Sequence, residues 1–156
     1  KNQNMDDVRF QNAFDLIYKC EDQKALEEIR LLLQNNPEVW KAWFMLGWAL
    51  RKMGRFEDAK QAFLEAIKFG AEKNADTLNE LALCSIQLRE FSLAKKYLLD
   101  AFALEPESTK IISNLGYLAL AEGNKQEARN YFATVLEYDS NDKIAAAELM
   151  KLEKEE

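Results

Sequence analysis

At 156 residues the chain has the length of one ordinary domain, and its 48% hydrophobic content is enough to enclose a continuous core, which excludes a disordered polymer. Five glycines and two prolines are too few for a many-turned β fold, and a net charge of −6 without a dense Lys/Arg cluster argues against nucleic acid as a partner. Histidine is absent, and Cys20 and Cys84 stand far apart without metal-ligand spacing, so no metal site is expected and both cysteines read as reduced, buried filler.

No apolar run approaches the roughly 18 to 20 residues needed to span a bilayer. The start, Lys1-Asn2-Gln3-Asn4, lacks the hydrophobic segment of a signal peptide. Because the chain begins without Met, an upstream targeting segment stays open, and the compartment is unknown, cytoplasmic by default.

Ala, Leu, Glu and Lys supply strong helix formers. In chain order, helices are expected at about 5–18 and 22–35, about 38–53 and 56–69, about 74–88 and 91–104, about 109–121 and 125–138, and finally about 143–153. Gly54 and Gly123 sit where a tight turn between paired helices favours a left-handed residue, and Pro37 and Pro106 where one pair gives way to the next. Ser140-Asn141-Asp142 offer capping side chains to the last helix. Its Ile144, Ala147, Met150 and Lys151 suggest one apolar and one charged side, as in the solubilising cap of a repeat array.

The pairs repeat. Leu46 recurs as Leu81 and Leu115, Ala59 as Ala94 and Ala128, and Phe63 as Leu98 and Phe132, at steps of 35 and then 34 residues. Stepping back 34 residues places Ala25, Ile29 and Leu33 under Ala59, Phe63 and Ile67, so a degenerate copy precedes the three clear ones. The small residues Gly47, Ala82 and Gly116, with Ala59, Ala94 and Ala128, let two helices approach closely, while Phe63, Leu98 and Phe132 fill the space beside them.

The first full copy, Trp43-x2-Leu46-Gly47-x2-Leu50, Gly54, Phe56, Ala59-x3-Phe63-x2-Ala66, resembles the tetratricopeptide repeat family, departing from it at Leu50 and at Ala71, where the family has Tyr and Pro. The second copy carries Leu81-Ala82, Arg89 where the family prefers Gly, Phe91, Ala94, Leu98, Ala101 and Pro106; the third carries Leu115-Gly116, Gly123, Ala128, Phe132 and Val135. The resemblance implies an all-α fold, a right-handed superhelix of antiparallel helix pairs ending in a C-terminal capping helix. One domain over 1–156 would comprise a degenerate repeat at 5–37, repeats at 38–73, 74–107 and 108–141, and a cap and tail at 142–156.

Without histidine the usual general base is missing, and no phosphate-cradling or nucleophile-elbow motif occurs, so no catalytic residue, cofactor or metal is expected. The carboxylate pairs Asp6-Asp7, Glu27-Glu28 and Glu155-Glu156 read as solvated helix faces or a charged terminus. Trp43 occupies the family's packing position and is expected in the core, and Trp40 against the preceding pair.

In the family the first helix of each pair lines the concave surface. Carried onto this chain, the inner positions are Lys41, Phe44, Trp48, Arg51 and Lys52, then Asp76, Asn79, Leu83, Ile86 and Gln87, then Lys110, Ser113, Asn114, Tyr117 and Leu120. The resemblance thus implies a protein-interaction module holding a partner's peptide or amphipathic helix. Trp48, Leu83, Ile86 and Tyr117 would be apolar anchors, Asn79 and Asn114 would bond the ligand backbone, and Lys41, Lys52 and Lys110 would favour an acidic end. An inward curl of the first helix pair or of the cap would instead cover Phe44 and Trp48.

The family's clamp for chaperone tails fits poorly, since Met45, Asp76 and Glu80 stand where Asn, Lys and Arg belong. Two other classes remain: a structural module that self-associates, for which an apolar stripe around Phe10, Phe14 and Ile17 would speak, and a regulatory arm of a larger protein.

Overall fold

A computed structural model describes the backbone of residues 3–155 and the side chains of residues 7–155; Asp6 and Glu156, members of the carboxylate pairs above, lie outside the described side chains. Among the described residues every regular element is helical. The chain divides into two compact units, Lys1–Lys73 and Asn74–Glu156. The first holds α1 (Gln3–Tyr18), α2 (Asp22–Asn35), α3 (Trp40–Lys52) and α4 (Phe56–Ala66); the second holds α5 (Ala75–Gln87), α6 (Phe91–Leu104), α7 (Thr109–Ala121), α8 (Lys125–Tyr138) and α9 (Lys143–Lys154).

Within a pair, the two helices are joined by one turn used four times. Cys20, Gly54, Arg89 and Gly123 all have positive φ (58°, 81°, 61° and 81°). The next N–H, of Glu21, Arg55, Glu90 and Asn124, reaches back to the carbonyls of Leu16, Leu50, Ser85 and Ala119, the six-to-one bond of a Schellman ending. Cys20 is therefore exposed in a turn and not core filler, whereas Cys84 is buried as expected. Asn74, Ser108, Asn124 and Asp142 accept the backbone N–H three residues on and so cap α5, α7, α8 and α9.

α3 starts at Trp40, two residues later than expected, because Val39 is extended (φ −93°, ψ 111°). α4 stops at Ala66 and passes into a π-helical turn, Ile67–Ala71, in which Phe69 and Gly70 leave helical geometry (Gly70 φ 124°). The one-residue lengthening of the first repeat step falls between Phe63 and Leu81, the interval that contains this turn. Its wider winding keeps Ala66 and Ala71, five residues apart, both fully buried. Trp40 stands against Phe44 (ring centroids 6.3 Å) and beside Gly70 in this turn.

In the first unit Ala13, Ile17, Ala25, Ile29, Leu32, Ala42, Met45 and Ala49 form a core cluster; in the second Ile112, Ala119, Ala128, Phe132, Val135, Ala145 and Leu152 do. Ile17 thus belongs to the core and not to an outer stripe of α1. On α9 the expected polarity is reversed. Ala145 and Leu152 dock, while Ile144, Ala147 and Met150 face solvent, because α9 is fitted to α8 by its alanine-leucine side.

Phe63, Leu98 and Phe132 are fully buried. A Cβ on Gly47 would lie 2.7 Å from the ring of Phe63, and one on Gly116 2.7 Å from that of Phe132. Copy two carries Ala82 and the smaller Leu98 instead, a matched exchange of volume within the pair. Gly116→Ala should therefore cost about 1–3 kcal/mol in urea denaturation. Combined with Phe132→Leu it should cost clearly less than the two single changes added together.

Candidate functional site

The candidate positions lie on the first helix of each pair, and each unit presents its own set. In the first unit, Lys41 is exposed at the start of α3. Phe44, one turn on, packs edge-on against Phe63 (5.7 Å) as well as Trp40, so its ring is directed into its own hairpin. Trp48 is half-buried, with Phe14 of α1 5.0 Å from it and tilted by 42°. Packing of α1 on α3 thus covers one face of the indole while Phe14 itself stays 44% exposed.

Lys52 completes this cluster. Its ammonium lies 5.2 Å from the Trp48 ring and 5.8 Å from the Tyr18 ring, and it donates to the Ile17 carbonyl at 3.1 Å. The cation therefore shares with the Cys20 N–H a carbonyl in the last turn of α1, where the helix dipole is negative. The outcome is a continuous surface of Phe14, Tyr18, Trp48 and Lys52. Phe14 was expected on a self-association stripe and Tyr18 was not expected at all; their four-residue spacing, which aligns them on one helix face, was the available signal.

Trp43 is only half-buried, not core. Its indole N–H donates to the Pro37 carbonyl at 2.8 Å, and its ring lines an open cleft of about 400 Å³ with Leu26, Leu46 and Leu50, rimmed by Arg55 and Glu65.

In the second unit α5 and α7 lie side by side. Asn79 is 1% exposed and Asn114 8%, and the Asn114 amide donates to the Asn79 carbonyl oxygen at 2.8 Å. The two amides are thus spent largely on each other, and the Asn79 side-chain nitrogen is left buried without a partner. Leu83 and Ile86 are half-buried on α5. Lys110 faces Asp76 at 3.9 Å, both well exposed, so an acid offsets the charge expected to attract an acidic ligand. Tyr117 is half-buried against Phe132 (5.3 Å, edge-on). Burial, and then the carboxylates Glu148 and Asp142, raise the pKa of its phenol above the ordinary tyrosine value, making it a weaker acid.

The buried amide pair carries a consequence for stability. Asn114→Ala strands the Asn79 oxygen as well as its nitrogen and should lower unfolding free energy by about 1–3 kcal/mol. Asn79→Leu with Asn114→Leu, which removes both polar groups, should cost less than that single change when the two are compared in urea melts.

Among the described residues no helix is long and apolar enough to cross a membrane. Models of the tetratricopeptide repeat match residues 40–69 and 109–142. The chain is 29% identical over 98 residues to tetratricopeptide repeat protein 7B of Homo sapiens, covering 63% of this chain and 12% of that protein. It is 30% identical over 133 residues to the mitochondrial tetratricopeptide repeat protein 19 homolog of Drosophila melanogaster, covering 77% of this chain and 34% of the relative. It therefore spans about a third or less of these relatives. Among solved structures, pilF of Pseudomonas aeruginosa superposes with a TM-score of 0.87 at 22% identity, over 99% of this chain and 71% of that one. YrrB, a repeat protein described as having an unusual peptide-binding site, gives 0.75 at 25% identity over 92% and 74%. The first repeat domain of Spaghetti (RPAP3), solved bound to an HSP90 peptide, gives 0.68 at 23% identity over 74% and 90%. The repeated Gly/Ala-to-Phe/Leu packing, the paired helices and these likenesses have one reading: the chain is a tetratricopeptide repeat protein.

Proposed function

We propose that this chain is a protein-interaction module that takes a peptide or amphipathic helix of a partner on the faces built by the first helices of its pairs. The observation that carries this reading is the surface of Phe14, Tyr18, Trp48 and Lys52. Three aromatic rings there remain in part open to water although α1 and α3 already share a core behind them. Large aromatic side chains held rigidly at the surface are what binding hot spots are made of. The fold supports a role in protein–protein interaction, and the peptide-binding site ascribed to YrrB is consistent with it.

The net charge of −6 favours protein over nucleic acid as the partner. In the second unit, half-buried Leu83, Ile86 and Tyr117 would take apolar side chains. Asp76 beside Lys110 disfavours a ligand that depends on a terminal carboxylate. The ligand expected is therefore an amphipathic helix with apolar residues at three- and four-residue spacing.

The test is selection from a displayed peptide library, followed by titration of tryptophan fluorescence with the selected peptide. Trp48→Ala should weaken that peptide by at least about tenfold, roughly 1.4 kcal/mol, while Lys110→Ala should change affinity by less than about threefold. Selected peptides whose binding ignores Trp48, Leu83 and Ile86 together would overturn the reading.

A further inference from the structure

The cleft beside Trp43 lies entirely in the first unit and is lined from α2, α3 and α4. Its apolar walls come from Leu26, Trp43, Leu46, Leu50 and Ala62, and its volume of about 400 Å³ is that of a pocket for a small organic group. The repeat explains why it is open. Three residues beyond the small alanine of each second helix, after Ala59, Ala94 and Ala128, stand Ala62, Tyr97 and Tyr131. Two copies thus place a phenol ring where the first has only a methyl group.

The third copy shows what that ring does. Tyr131 is half-buried and packs against the core cluster that contains Ile112, Ala119 and Ala128, the counterparts of Trp43, Leu50 and Ala59. Burial, and then the neighbouring Glu127 carboxylate, raise its pKa above the ordinary tyrosine value. Glu127 is the counterpart of Asp58, which stands exposed on the rim of the open cleft, 2.6 Å from Arg55. Trp43, although larger than Ile112, does not close the gap in the first copy. Its N–H is tied to the Pro37 carbonyl, and its half-buried ring forms a wall of the cleft.

From this we propose that the cleft is a docking site for a tyrosine side chain on the surface of a partner protein. The partner's ring takes the place that Tyr131 fills from within the chain in the third copy, and its hydroxyl donates to the Asp58 carboxylate. A neutral phenol suits a rim on which Arg55 and Asp58 already offset one another, whereas a leucine would leave the polar rim unused. Gln61 and Glu65 complete that rim, so a cationic side chain is the rival occupant. The site is separate from the aromatic surface around Trp48: Trp43 and Trp48, five residues apart on α3, point roughly 140° from each other around the helix.

Titration of the intact, nitrogen-15-labelled chain with N-acetyltyrosinamide tests this by NMR. The Trp43 indole N–H resonance should shift saturably, with half-saturation at about 1–10 mM, and at least about fivefold tighter than with N-acetylleucinamide or N-acetylargininamide. Asp58→Ala should weaken the tyrosine probe by about threefold to tenfold and leave N-acetylphenylalaninamide unchanged. Ala62→Tyr, which supplies the ring from within, should abolish the shift. If that variant does not fold, nuclear Overhauser contacts from the probe ring to the Leu26 and Leu46 methyls of the unaltered chain decide the same point. No saturable shift up to about 50 mM, equal binding of the leucine or arginine probe, binding retained in folded Ala62→Tyr, or contacts to other residues alone would overturn the proposal. Trp48→Ala should leave the probe's binding unchanged, so this result and that of the peptide selection fail independently.

Discussion

Everything in this molecule depends on how closely two helices of a pair can approach. A side chain no larger than glycine or alanine on the first helix receives a phenyl or leucyl group from the second, and Gly116 against Phe132 leaves no room for one further carbon. This short distance excludes water and encloses the fully buried rings. The Schellman turn is its covalent counterpart. Helices held that near must be joined by a connection short enough to reverse within a few residues, which the left-handed residue at Cys20, Gly54, Arg89 and Gly123 makes possible.

Because the packing rule is local and repeated, it is written plainly in the residues. The period, the pairing of Leu46-Gly47 with Phe63 and of Leu115-Gly116 with Phe132, and the bounds of α2, α6, α7 and α8 are all legible from spacing and capping residues. Arg89 shows how strongly tertiary context acts: a residue with no preference for positive φ is held at 61° by the turn, its guanidinium lying 5.1 Å from the Phe91 ring.

The candidate faces were less legible, because a position on a helix wheel does not say which neighbour a side chain meets. Phe44 and Trp48 are one turn apart on α3, yet one turns into its own hairpin toward Phe63 and the other lies under Phe14. Asn79 and Asn114, 35 residues apart, share one buried hydrogen bond, a match that becomes visible only when α5 and α7 are laid side by side. Lys52 reaches the Ile17 carbonyl in the last turn of α1, an acceptor it shares with the Cys20 N–H and meets only across the α1–α3 contact. Such pairings between elements are long-range facts, whereas the repeat is a short-range one.

The π-helical turn after α4 shows what a repeat array does with a copy of the wrong length. An extra residue in a regular α-helix would rotate everything beyond it by more than a quarter turn and bring polar side chains inward. Here the surplus falls in the stretch that contains Ile67–Ala71, where the winding widens and Gly70 is left-handed. Both alanines that bracket the surplus stay buried. A change of winding in the last turn of a hairpin is thus enough to house one more residue while that hairpin keeps its own inside and outside.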